Sequence, residues 1–89
     1  MKIVFDRSFS KSINPIASAP VKKKLESIIL QIESAKSLHD IPNLKKMEGY
    51  KSFYRIRMGV YRIGFELLED KTILLILIAH RKDIYRVFP

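Results

Sequence analysis

Arg55, Arg57 and Arg62, followed after a long apolar run by Arg81 and Tyr85, are the residues of this chain best suited to chemistry. A guanidinium presents a planar fork that matches phosphate oxygens two at a time and never loses its charge. The chemistry such a set serves is the holding of a polyanion and the stabilising of charge that builds up on phosphorus. Lys45, Lys46 and Lys51 precede the set. From Lys45 to Arg62 there are six basic residues, and only Glu48 opposes them. A positive field of that kind attracts nucleic acid first, then an anionic membrane surface or an acidic protein. A membrane-surface segment is an amphipathic helix with lysine on one face, whereas the densest basic region here has the pattern of strands.

The elements that must position these arginines can be read from the same stretch. Tyr54, Ile56 and Met58 alternate with Arg55 and Arg57, and Tyr61, Ile63 and Phe65 alternate with Arg62 and Gly64. A period of two puts apolar side chains on one face of a strand. Gly59-Val60 between them is a two-residue connection whose first residue accepts positive φ, as a type II′ hairpin turn requires. Met58 then lies opposite Tyr61, Arg57 opposite Arg62, Ile56 opposite Ile63, Arg55 opposite Gly64 and Tyr54 opposite Phe65. One face is Met, Tyr, Ile and Phe. The other gathers three arginines, and like charges directly opposed on a sheet are destabilising by roughly 0.2–1 kcal/mol. A fold gains nothing from that arrangement and a polyanionic ligand does, although charged residues on the wet side of a sheet are ordinary in themselves. Gly64 facing Arg55 leaves a gap through which a ligand could approach.

The chain has 89 residues, 47% hydrophobic and 29% charged, with a net charge of +8, which is the composition of one globular domain spanning residues 1–89. No apolar run reaches the roughly 18 residues that span a membrane, and the N-terminus meets Asp6 too early for a signal-peptide core, so a cytoplasmic protein is expected. Without cysteine there is no disulfide scaffold or thiolate nucleophile, and two histidines without a carboxylate cluster are poor material for a metal site. No metal and no cofactor are expected.

Lys2 to Phe5 reads as a short strand, and Asp6 or Ser8 can cap a brief helix that Asn14-Pro15 ends. A longer helix begins near Ser18 to Pro20, with Val21, Leu25, Ile28, Ile29 and Ile32 as a stripe that covers the sheet. Lys22, Lys23 and Lys24 fall in its first turn, against the helix dipole, where they serve either a partner such as RNA or simply solvation. Ser37 to Gly49 reads as an irregular loop that includes His39 and Asp40. Thr72 to Ala79 is a β-branched apolar run and reads as a central strand buried on both faces. An even-length turn before it places Leu74, Ile76 and Ile78 on the helix side and Leu75, Leu77 and Ala79 on the arginine side, with Arg81 emerging there. His80 to Pro89 reads as a short terminal helix or turn.

Taken together, Tyr54-Arg55-Ile56-Arg57, the Gly59, Tyr61-Arg62-Ile63 segment, the preceding Leu44-Lys45-Lys46-Met47-Glu48-Gly49 and the terminal His80-Arg81-Lys82-Asp83-Ile84-Tyr85 resemble the RelE/ParE superfamily of toxin–antitoxin toxins, the RelE-like branch in particular. The resemblance implies an α+β, RelE-like fold. In it, an N-terminal strand and two helices pack on one face of a small antiparallel-rich sheet, with a short C-terminal helix or turn. It further implies a toxin neutralised by a cognate antitoxin protein, acting with ribosome and mRNA and not at a membrane, and meeting operator DNA through the antitoxin complex. In the RelE branch the activity implied is ribosome-dependent cleavage of mRNA by attack of the ribose 2′-hydroxyl. Carried over by position, the catalytic residues it points to are Arg62, Arg81 and Tyr85, to which the chemistry of proton transfer adds His80. Arg55 and Arg57 match the two basic positions of the family's first hairpin strand and are expected to bind substrate, and Lys45, Lys46 and Lys51 join them as the other cations of the basic stretch.

One departure is chemical. RelE has lysines where this chain has Arg55 and Arg57, and a guanidinium, which keeps its proton throughout the physiological range, is a poor general base. His80 and Tyr85 are then the proton-transfer candidates, although strict alternation turns His80 toward the helix side. Two other readings stay open: a ParE-like toxin that inhibits DNA gyrase without catalysis, and an inactive relative that only binds antitoxin.

Overall fold

A computed structural model describes residues 1–89. Its elements run β1 (Ile3–Phe5), α1 (Arg7–Ile13), α2 (Ala19–Ser34), a 3₁₀ turn (Leu38–Asp40), β2 (Leu44–Lys46), β3 (Phe53–Met58), β4 (Tyr61–Leu67), β5 (Ile73–His80) and α3 (Ile84–Val87). The strands form one sheet in the order β1-β5-β4-β3-β2, antiparallel except for β1 against β5. The fold is α+β, as expected.

Both N-terminal helices start where their caps dictate. The Asp6 carboxylate accepts the Ser8 amide at 3.0 Å, and the Ser18 hydroxyl accepts the Val21 amide at 3.3 Å with Pro20 in the first turn. Lys23 and Lys24 therefore lie beyond the first turn, where the dipole acts on them only weakly. At the other end of α2 the Met1 ammonium donates to the carbonyls of Ile32, Glu33 and Ala35 at 2.7–3.0 Å, which satisfies orphan acceptors of the helix end. Phe9, Leu25 and Ile32 bury themselves against Ile56, Met58, Ile63, Phe65, Leu75 and Ile78, so the helices cover one face of the sheet.

The hairpin pairs as the alternation predicts, rung by rung from Tyr54–Phe65 to Met58–Tyr61. Gly59 has φ +61° and Val60 is not left-handed, in keeping with the type II′ turn. The segment 37–49 departs from expectation: it is not a plain loop but carries a 3₁₀ turn and the edge strand β2, whose Leu44, Lys45 and Lys46 pair with Ile56, Arg55 and Tyr54. A strand of three residues with two lysines has too little periodicity to be seen alone. Pairing with β3 makes it.

The facing of β5 also departs from expectation. The connection Leu68 to Thr72 is odd-numbered, so Ile73 and Leu75 enter the helix-side core instead of Leu74 and Ile76. The register then jumps from Phe65–Leu75 to Gly64–Leu77, leaving Ile76 as a bulge that restores the original parity for Leu77, Ile78 and Ala79. Helix α1 makes the bulge tenable. Beyond the end of β1, the Ser8 hydroxyl lies against both the Ile76 carbonyl, at 2.6 Å, and the Asp6 carboxylate, sharing its one proton between them, and the Ser12 hydroxyl accepts the Ile78 amide at 3.0 Å, covering the open edge of β5.

Candidate functional site

The face of the sheet away from α1 and α2 carries a row of cations. Arg55 lies between Lys45 of β2 and Gly64 of β4, Arg57 lies opposite Arg62, and Arg62 lies opposite Ala79 of β5. No carboxylate approaches any of these basic groups within 4 Å, because the one ion pair of the chain joins Arg86 to Asp83 at 2.9 Å. Desolvation holds the Arg62 guanidinium below its ordinary pKa, and the charges of Arg55, Arg57 and Arg81 push it the same way, while an ionised Tyr85 would act in the opposite sense.

Two of the guanidinium groups are held by backbone or amide groups. Arg62 Nη1 donates to the Gly59 and Tyr61 carbonyls at 2.8 and 2.9 Å, folding the side chain back onto the hairpin turn. Arg57 Nη2 donates to Asn43 Oδ1 at 3.3 Å. The Nε of Arg55 is buried and has no hydrogen-bond partner within the fold. Arg81 follows the last strand, its amide bonded to the Val60 carbonyl at 2.7 Å, so the end of β5 is tied to the turn that holds Arg62.

Tyr85 is brought to this face by the C-terminal segment. Ile84 and Phe88 of that segment are buried with Met47 in a second small core, packed by Phe53, Ile76, Leu77 and Ala79 on the arginine side of the sheet. Between those two anchors Tyr85 turns outward, 66% exposed. It lines a cavity of about 260 Å³ together with Lys45, Lys46, Met47, Glu48 and Arg55. The gap expected above Gly64 is not open to a ligand. The Phe88 ring occupies it, at 2.8 Å from where a Cβ on Gly64 would be.

The structure brings Arg55, Arg57, Arg62, Arg81, Lys45 and Tyr85 to one face and leaves other candidates elsewhere. His80 lies opposite Tyr61 on the helix side, its ring edge-on to Tyr61 at 6.1 Å and its Nδ1 accepting the Lys82 amide at 3.1 Å. The bulge, which returns the strand to its original parity, is what turns it away from the arginines. Lys46 pairs opposite Tyr54 and also borders a second groove with Leu38, His39, Ile41 and Leu44. Lys51 sits in the exposed loop before β3, outside the Tyr85 cavity. Sequence reasoning missed Glu48, read only as a charge counterweight. It is the one carboxylate lining the cavity, and no pattern in the sequence marks a lone acid in a loop as a neighbour of a C-terminal tyrosine.

The fold is thus α+β, with a cation-lined, carboxylate-poor sheet face and an exposed tyrosine on its rim. The ParE toxin family of type II toxin–antitoxin systems matches residues 3–85, and the chain belongs to that family. It is 39% identical over 90 residues, the full length of both chains, to Toxin RelE3 of Methanocaldococcus jannaschii. Among solved structures it resembles the RelB-RelE antitoxin–toxin complex from Methanococcus jannaschii, with 36% identity, a TM-score of 0.80 and coverage of 97% of this chain and 99% of that one. The fold is shared with the Pyrococcus horikoshii RelE-RelB complex at 17% identity and a TM-score of 0.73, covering 93% and 97% of the two chains. The chain is a RelE-like toxin of a toxin–antitoxin system.

Proposed function

We propose that residues 1–89 form one toxin domain that cleaves messenger RNA on the ribosome by transphosphorylation, without a metal or cofactor. The observation that carries this reading is the convergence of Arg55, Arg57, Arg62, Arg81 and Tyr85 on one sheet face with no carboxylate within 4 Å of the arginines. In the reaction the ribose 2′-oxygen attacks the adjacent phosphorus and the P–O5′ bond breaks, leaving a 2′,3′-cyclic phosphate and a free 5′-hydroxyl. Charge collects on the phosphorane oxygens, and fixed guanidinium donors stabilise it without reorganising. Arg62 and Arg81 serve there, Arg81 also assisting the leaving group, and Arg55 and Lys45 hold the strand. Tyr85, exposed on the rim, gives the departing 5′-oxygen its proton or, where water supplies that proton, stacks on an unpaired base.

The proton on the 2′-hydroxyl needs an acceptor. Guanidinium groups do not serve and His80 faces the other side of the sheet. Glu48 shares the cavity with Tyr85 and Arg55, so it is the carboxylate positioned for that step.

The partners of this reading are the ribosome with its mRNA, in the cytoplasm, and a RelB-type antitoxin that neutralises the toxin and links it to operator DNA. Primer extension on a defined mRNA, translated in a reconstituted system with and without toxin, tests it. Cuts within codons that require ribosomes are the expected result. Their absence with folded protein would overturn it. The match to the ParE family favours one second reading, inhibition of DNA gyrase through the same basic face, which a supercoiling assay separates.

A further inference from the structure

Arg57 lies on the same sheet face as Arg55 but does not line the Tyr85 cavity. Strand β2 begins at Leu44, opposite Ile56, so Arg57 and Met58 run past its end, and there they meet α2. Arg57, Met58, Gly59 and Asn43 form one side of a groove of about 240 Å³, and Lys24, Ser27 and Ile28 form the other.

The groove is organised around Arg57. Asn43 sits in the left-handed region at φ +61°, a conformation asparagine tolerates better than most residues. From there its carbonyl accepts the Arg57 amide at 3.1 Å and its Oδ1 accepts Arg57 Nη2 at 3.3 Å. Only the second of those bonds uses a guanidinium donor, so most of the five guanidinium N–H groups are uncommitted. Lys24 comes from a helix remote in sequence, and neither it nor Arg57 has a carboxylate within 4 Å. No acidic residue lines the groove, and a Cβ on Gly59 would meet nothing within 4 Å, so the mouth at the hairpin turn is open. Two unneutralised cations from separate elements converge on a polar groove that nothing in the fold fills.

We propose that this groove is a second phosphodiester site for RNA, distinct from the Tyr85 cavity, with Lys24 and Arg57 as direct contacts and Asn43 as a positioning residue. Arg62 lies opposite Arg57 on the neighbouring strand, within reach of the charges of both Arg55 and Arg57. The basic face is then a track with a station at each end, and it bends around the edge of the sheet where β2 stops short. That the polyanion is RNA rests on the function proposed above.

The test is binding rather than cleavage. Full-length toxin is titrated across a salt series against a fluorescent 2′-O-methyl oligoribonucleotide, which cannot be cut, and separately against vacant ribosomes. Lys24→Ala is expected to weaken binding about fivefold, and to flatten the dependence of log K on log salt by about 0.7, one phosphate contact. Lys11→Ala, the same charge change on α1, keeps the wild-type slope. Asn43→Gly retains the left-handed backbone and deletes the acceptor. It should weaken binding in the wild type and add nothing in an Arg57→Ala background. A lost contact seen with the oligonucleotide places the phosphate in the substrate strand, and one seen only with ribosomes places it in ribosomal RNA. Slopes unchanged by Lys24→Ala on both ligands would overturn the groove as a site. Because no cleavage is read, unchanged slopes in a protein that still cuts mRNA defeat only the groove. Altered slopes in a protein that does not cut defeat only the nuclease reading.

Discussion

The ring of Phe88 lies over Gly64, with three ring atoms 2.8 Å from where a Cβ on that glycine would stand. The absence of a side chain in mid-strand is what lets the C-terminal segment lie flat on the arginine face. Phe88 thereby fixes the turn of α3 that carries Tyr85.

Gly64→Ala is expected to push the ring off the sheet, since an aromatic ring wedged against backbone cannot yield as a flexible chain end does. Overpacking of this kind costs about 1–3 kcal/mol. Phe88→Ala, which empties a buried aromatic site, costs about 3–5 kcal/mol. The double variant should cost less than the sum, because alanine at 64 meets no ring once Phe88 is gone. Urea denaturation of the four proteins measures this, and additive costs would contradict the contact.

Arg62→Ala should separate activity from folding. Its loss removes a fixed donor for the phosphorane, worth about 10²–10³ in rate by analogy with other preformed anion sites. It also removes the like-charge opposition with Arg57, so stability should change by no more than about 1 kcal/mol and improve relative to wild type as salt is lowered. Single-turnover cleavage on stalled ribosomes, alongside denaturation at two ionic strengths, reads both effects. Unaltered cleavage by the folded variant would remove Arg62 from the site.

Glu48→Gln and His80→Gln form a contrasting pair. If Glu48 accepts the 2′-proton, its amide should slow cleavage by about 10²–10⁴ while leaving ribosome binding intact. His80→Gln sits on the other face against Tyr61 and should leave cleavage near wild type. The reverse result would mean that the terminal segment rearranges on the ribosome.

Acid should loosen two defined points of the fold. Hydrogen bonds from Ser8 hold Asp6 below the usual carboxylate pKa, and those from Thr72 do the same for Asp70. A depressed folded pKa means that the native state binds fewer protons than the unfolded chain. The stabilisation is therefore complete above the unfolded value of about 3.9 and is lost as pH falls through the lower folded value. Asp6→Asn with Asp70→Asn should flatten the fall of the urea midpoint below about pH 4. A double variant whose acid limb is as steep as wild type would place the titration in other groups.

The sequence by itself determined whatever depends on neighbours along the chain. Alternation around Gly59-Val60 set every rung of the hairpin, and with it the opposition of Arg57 to Arg62, because a two-residue turn leaves no freedom in register. Ser18, Pro20 and the Val21 to Ile32 stripe did the same for α2, through capping and period.

Only the tertiary structure decided what depends on meetings between distant segments. Strand β2 exists because β3 offers it an edge, and the Ile76 bulge persists where Ser8 and Ser12 supply its hydrogen bonds. Two parity changes, an odd connection and that bulge, cancel along β5, so Ala79 faced the arginines as the alternation required while Leu75 did not. Glu48 joined Tyr85, and Lys24 joined Arg57, through packing that no local pattern encodes. Periodicity tells which face a side chain takes, and only the closing of the core tells what it finds there.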